Sequence, residues 1–248
     1  MRKEITYKIK KNYPLILAYH RVCEKKSSER IASSVKQLKW HIKFLRNRGF
    51  TFYTLKQWLN GEVSSNSSKA AILTFDDGWR DNYELAFPVL KKFGISATVF
   101  LITDYIGLDA MPEGMAEIKG RRFLTLKMIN EMSKYGIDFG SHTSTHRVLT
   151  KCSSQEAFRE LANSRDKVNN LLRTNVTTIC YPKSQVNDSV ISLAIKAGYE
   201  YGVVTQPFRK QSNGLNSPLA LPRVGIYSTD NKLRFLIKYL KYLWNNSL

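Results

Sequence analysis

"AAILTFDDG" (residues 70–78) is the stretch whose reading decides the fold. Ala70 to Phe75 form an apolar run interrupted only by Thr74; two carboxylates, Asp76 and Asp77, and a glycine follow directly. A continuous apolar run, not an alternating one, is the pattern of a strand covered on both faces, as in a parallel sheet packed between helices. Polar residues at the carboxyl ends of such strands are where α/β proteins meet their ligands. Neighbouring carboxylates repel each other and lose hydration beside an apolar strand, and both effects disfavour ionisation. Two acids at this place therefore call for a compensating cation.

Working outward, similar runs recur at 14–22, 50–54, 96–103, 136–143, 177–183, 201–207 and 219–226. Helical periodicity lies between most of them. In 33–50, Val35, Leu38, Ile42 and Leu45 share one face and Gly49 stops the helix; further helices are predicted over 82–94, 125–136, 154–172 and 188–198. Strand–helix alternation with continuous strands predicts an α/β fold. Seven or eight such units point to a distorted (β/α)7-type barrel of parallel strands, a single domain over 1–248, with an open doubly wound sheet as the other arrangement. The polar loop 61–70 is too short to separate domains.

The chain has 248 residues with 43% hydrophobic content, enough for one large core. Lys and Arg number 39 against 20 Asp and Glu, a net charge of +19 that attracts polyanions: nucleic acid, anionic lipid headgroups or acidic glycans. No nucleic-acid recognition motif accompanies it, so a nucleic-acid partner is not expected. Cys23, Cys152 and Cys180 are widely spaced and odd in number, which fits a reducing compartment better than a disulfide framework. The basic N-terminus has an apolar run of only Leu15–Ala18, too short for a signal-peptide core. A cytoplasmic protein is the resulting expectation.

Of four histidines, three follow predicted strands: His20 the first, His142 and His146 the fifth. His41 falls within a helix and reads as a surface or boundary residue. In "SHTSTH" (141–146) the histidines are four apart, and in a helical turn they share one face. Two imidazoles and a carboxylate make a facial set for one divalent metal with open positions, and Asp77 can be that carboxylate. A cation there offsets the charge of Asp77 and eases ionisation of Asp76, leaving Asp76 to act as general base on a water. Pro182 and Lys183 end the sixth strand.

"LTFDDG" (73–78) and "SHTSTH" resemble the first two motifs of the NodB-type polysaccharide deacetylases, carbohydrate esterase family 4, and the resemblance runs over residues 14–226. It implies a (β/α)7-type barrel and metal-dependent removal of an N-acetyl group from a sugar, with release of acetate. Asp76 would be the base, and Asp77, His142 and His146 would hold one divalent ion, commonly zinc, with cobalt, manganese or nickel as alternatives. Two departures stand out. The family's third motif, Arg-x-Pro-aromatic-Gly, reads Cys180-Tyr181-Pro182-Lys183-Ser184 here. The arginine that would orient the base is missing, and Arg80 and Arg223 are the candidates to replace it. The main-chain N–H of Lys183 can still serve the oxyanion. The late Leu-x-His motif is also absent, and "LILAYHRV" (15–22) resembles the N-terminal histidine segment of a rearranged subgroup, which makes His20 the expected general acid.

Residues 229–248 predict a C-terminal amphipathic basic helix capped by Thr229 or Asp230. Its apolar face is Leu233, Leu236, Ile237, Leu240, Leu243 and Trp244, and Arg234, Lys238 and Lys241 form a basic stripe. Either that apolar face closes the barrel, or it lies on an anionic membrane surface, which would place the enzyme at the inner face of the cell membrane. The expected partner is an N-acetylated saccharide: a glycan, an oligosaccharide or a lipid-linked sugar. The altered third motif also allows a glycan- or lipid-binding protein on an inactive deacetylase scaffold.

Overall fold

A computed structural model describes residues 13–63, 69–109, 122–205 and 217–246. The loop expected over 61–70 lies partly outside them. The strands are β1 (Leu15–Tyr19), β2 (Arg21–Cys23), β3 (Ala32–Ser34), β4 (Thr51–Tyr53), β5 (Ala70–Phe75), β6 (Thr98–Leu101), β7 (Asp138–Ser141), β8 (Thr178–Cys180), β9 (Tyr201–Thr205) and β10 (Leu221–Gly225). Among the described residues, β1, β5, β6, β7, β8, β9 and β10 pair in parallel around a closed ring; β4 adds to the first half of β5, and β2 pairs with β3 beside the ring. Closure is made by β1 and β5, in register from Leu15↔Ala71 to Tyr19↔Phe75. That pairing excludes the open sheet.

The continuous apolar runs are explained by the two cores. Ile16, Ile72, Phe100, Val203 and Leu221 fill the barrel, while Leu15, Leu17, Leu73 and Val99 face the surrounding helices. Those helices are α1 (Val35–Arg46), α2 (Leu55–Leu59), α3 (Phe87–Phe93), α4 (Leu126–Tyr135), α5 (Ser154–Leu172), α6 (Asp188–Lys196) and α7 (Lys232–Asn246). Ser34, Thr54 and Ser153 close capping boxes with Gln37, Gln57 and Glu156, which starts α1, α2 and α5 where they start. No helix among the described residues is long and apolar enough to cross a membrane.

Three expectations are corrected. Before α3 the chain makes a π turn over Asn82–Ala86 in place of regular α-helix. The cap of α7 is Asn231, whose Oδ1 accepts from Arg234 N at 2.9 Å; Asp230 instead accepts from Tyr227 N. His41 is buried, not at the surface: its Nδ1 lies 2.8 Å from the Tyr19 hydroxyl and its ring stacks on Phe235 at 4.0 Å.

Burial, aided by the charge of Lys238, pushes the pKa of His41 down from 6.5 to about 3. Between those values the unfolded chain holds a proton that the folded one does not, so stability falls as pH falls. The stability difference between the wild type and His41→Gln should shrink by about 2 kcal/mol from pH 6.5 to pH 5, at 1.36 kcal/mol per unit. Urea unfolding at the two pH values checks it, and a pH-independent difference would contradict it.

Candidate active site

The site is assembled at the carboxyl ends of the barrel strands by strand register. Because Tyr19 pairs with Phe75, the next residues, His20 and Asp76, stand side by side, with Asp76 N donating to Tyr19 O at 2.9 Å. His142 is fixed in the same way: its N donates to Leu101 O at 2.8 Å, and Ser141 pairs with Ile179, which brings Cys180 alongside.

Asp76 is buried against Arg223 of β10. Arg223 Nη1 donates to Asp76 Oδ1 and Nη2 to Oδ2, both at 2.7 Å, a two-point contact. The guanidinium also donates to Thr74 Oγ1 at 2.8 Å, Thr205 Oγ1 at 3.1 Å and Cys180 Sγ at 3.1 Å. Burial pushes the Asp76 carboxyl up, but the charge and hydrogen bonds of Arg223 outweigh it and hold the group below its ordinary range. The guanidinium thus contacts Cys180, the residue at the arginine position of the third motif, so the arginine comes from β10 instead of β8. Arg80 is excluded from this role: it bonds Phe123 O at 3.3 Å and Asp109 Oδ1 at 2.5 Å.

Asp77, His142 and His146 converge. His142 Nε2 and His146 Nε2 lie 3.3 and 3.5 Å from the same oxygen, Asp77 Oδ1. Asp77 Oδ2 accepts from Trp79 Nε1 at 2.8 Å, and His142 Nδ1 donates to Cys180 O at 2.7 Å. These outer hydrogen bonds orient the ligand atoms inward, as around a metal. Two nitrogens and one oxygen aimed at a common point fit one divalent ion with open positions. A second group, Asp76, His142 and Cys180, is also close enough. It fits worse, because Arg223 occupies both oxygens of Asp76 and burial pushes the Cys180 thiol up.

The electrostatics agree with a cation at the first group. Burial raises the Asp77 carboxyl, and the hydrogen bond from His142 with the charges of the three imidazoles drives it well below the usual range. Burial lowers His142, but the Cys180 and Asp77 contacts carry it well above its ordinary value, whereas burial and the neighbouring His142 push His146 down to about 4. Positive charge is favoured beside Asp77, and a divalent ion would take the place of that proton.

The histidines do not sit on a helical turn. Residues 142–148 are an irregular loop, with Thr143 at φ 66° and His146 at φ 63°. Asp77 stands at φ 73°, and Lys183 and Ser184 at 54° and 56°. Of the six non-glycine residues in this left-handed region among those described, five are therefore in the loops of the site, where strain is held by surrounding structure. Ser184 takes the glycine position of the third motif, and its hydroxyl accepts from Thr205 N at 2.8 Å. Gly78 stands at φ 74°, where a side chain is strained, and a Cβ there would sit 2.9 Å from Leu101 Cδ2, which would have to shift.

His20 Nε2 lies 3.8 Å from Asp76 Oδ2, and its Nδ1 is buried without a hydrogen-bond partner. Two residues just past Gly78 clamp it: Asn82 Nδ2 donates to His20 O at 2.8 Å, and Asp81 accepts from Val22 N at 3.0 Å and Arg21 Nε at 2.8 Å. Trp79, Asp81, Asn82 and Cys180 were not among the sequence candidates. The first three lie within five residues after Asp77, and that proximity is the available signal.

An α/β barrel with a convergent metal-ligand set beside a buried, ion-paired carboxylate is the class of molecule this fold and site define. The family model for polysaccharide deacetylase matches residues 64–202. YxkH of Bacillus subtilis (strain 168) is 33% identical over 194 residues, covering 77% of this chain and 64% of YxkH, so the chain spans just under two thirds of that relative. The poly-β-1,6-N-acetyl-D-glucosamine N-deacetylase of Staphylococcus epidermidis is 30% identical over 222 residues, covering 80% of this chain and 74% of the relative. Among solved structures, the Streptococcus pyogenes deacetylase PplD in complex with acetate superposes with a TM-score of 0.72 at 27% identity, covering 90% of this chain and 96% of that one. The chain belongs to the polysaccharide deacetylase family.

Proposed function

We propose that this protein is a metal-dependent hydrolase that removes N-acetyl groups from an N-acetylated glycan, with β-1,6-linked N-acetylglucosamine as the first substrate to test. One observation carries the reading: Asp77, His142 and His146 converge on one point while Arg223 holds Asp76 ionised next to it. The name of the Staphylococcus epidermidis relative supports the substrate, and the acetate bound to PplD, a product of such a reaction, supports the chemistry.

Asp77, His142 and His146 would hold the ion, which supplies Lewis-acid polarisation of the amide carbonyl. Asp76 accepts a proton from the attacking water as the C–O bond forms. The main-chain N–H of Lys183, which follows buried Pro182, donates to the developing oxyanion. His20 gives a proton to the nitrogen as the C–N bond breaks, so acetate and a free amine leave. The test is acetate release from β-1,6-linked N-acetylglucosamine oligomers, with chitin oligomers and N-acetylated lipid-linked sugars alongside. Acetate matched by new amine is expected; no acetate from any of them contradicts the reading.

His20→Ala should lower kcat by roughly 100-fold with a smaller change in KM. An unchanged kcat would leave His20 a structural residue.

A further inference from the structure

Helix α7 faces the barrel with a different side from the one its sequence pattern suggests. Phe235, Tyr239 and Tyr242 are buried: Phe235 packs on His41, Trp40 and Phe44, Tyr239 on Phe44, and the Tyr242 hydroxyl donates to Tyr13 O. The opposite side carries Leu233, Ile237, Leu240 and Trp244, spaced by four, three and four, so that they form one ridge. They are 63%, 44%, 52% and 73% exposed. The helix runs along the barrel wall from the site end, where Asp230 accepts from Tyr227 N, to the opposite end, where Tyr242 reaches Tyr13 before β1.

α7 carries Lys232, Arg234, Lys238 and Lys241, and residues 231–248 contain no Asp or Glu. The cations of α1 turn the other way: Arg46 donates to Phe93 O, and Lys39 lines a surface pocket with Glu24 and Glu84. Lys238 is turned inward to Gly225 O and Asp230, while Arg234 and Lys241 are exposed beside the ridge. The Lys232 ammonium lies 5.7 Å from the Trp40 ring, and the Arg48 guanidinium 3.5 Å from Phe44.

We propose that α7, through its exposed ridge and the cations Arg234 and Lys241 beside it, docks this protein on an anionic lipid bilayer. Exposed apolar side chains flanked by uncompensated cations match the boundary between acyl chains and anionic headgroups. A second copy of the chain fits worse, because it would set the Arg234 and Lys241 cations of two +19 proteins against each other. The ridge lies away from the candidate active site, so docking and chemistry are separable.

Co-sedimentation with vesicles tests it, comparing phosphatidylcholine alone with phosphatidylcholine plus phosphatidylglycerol. The full chain should bind only the anionic vesicles and be released by salt. The variant Leu233→Ser, Ile237→Ser, Leu240→Ser, Trp244→Ser should stay folded with a modestly lowered thermal midpoint, since each side chain is at least 44% exposed, and bind at least about tenfold more weakly. Trp244 emission, taken as the difference between wild type and Trp244→Phe, should shift to the blue on anionic vesicles; this reading does not depend on the folding of the multiple variant. Wild-type protein that ignores anionic vesicles, a folded variant that binds them equally, or an unshifted Trp244 would overturn the proposal. So would concentration-dependent self-association that the same variant abolishes, which would assign the ridge to a second copy.

Discussion

Asparagine at position 76 is expected to leave a folded protein that still binds its metal and turns over at least roughly 100-fold more slowly, the usual scale for loss of a general base. The separation of roles rests on geometry. Both Asp76 oxygens are engaged by Arg223, whereas the imidazoles approach Asp77 Oδ1. Asp77→Asn should do the reverse and lose metal first. Isothermal titration with Zn2+ and acetate release, measured on both variants, check the assignment. An Asp76→Asn protein that loses metal and keeps its activity per bound ion would exchange the two roles.

Removal of Arg223 should have the larger effect on the fold. Arg223→Met leaves the buried carboxylate of Asp76 without its cation, and breaking a buried pair from one side costs on the order of 3–5 kcal/mol. The guanidinium also bonds Thr74, Thr205 and Cys180, so residues of β5, β8 and β9 lose a shared partner. Without it burial dominates, the Asp76 carboxyl rises, and the acid limb of the acetate-release profile should move to higher pH as turnover falls. Arg223→Lys keeps a charge but not the two-point contact, so it should recover stability more than activity. Denaturant unfolding and a pH–rate profile read both effects. An unchanged acid limb in a folded Arg223→Met protein would show that Arg223 does not set the ionisation of Asp76.

What could be read from the sequence was what local pattern encodes. Continuous apolar runs marked the barrel strands, and the Thr125 cap and Gly136 stop bounded α4. The carboxylate pair and the histidine pair declared themselves by residue type and by position after a strand. What could not be read depends on strands far apart in the chain. His20 meets Asp76 only because β1 closes the ring against β5. Arg80 and Arg223 were equal candidates until register carried Arg223 into the barrel and a bond to Asp109 held Arg80 outside. The histidine spacing suggested a helical turn, yet left-handed Thr143 and His146 bring the imidazoles together from a loop. α7 is apolar or aromatic over most of its circumference, so periodicity alone could not tell which side packs; the aromatic side does. His41 seemed peripheral because the ring of Phe235, which buries it, is 194 residues away in the chain (235 minus 41).

The proposed glycan N-deacetylation requires one divalent ion on Asp77, His142 and His146. Chelator-treated protein titrated with Zn2+, while acetate release from β-1,6-linked N-acetylglucosamine oligomers is followed, tests that requirement. No release is expected before the ion is added, then a linear rise that breaks at one equivalent, and no rise in His142→Ala. Acetate release that survives full chelation, or that rises equally in His142→Ala, would contradict it.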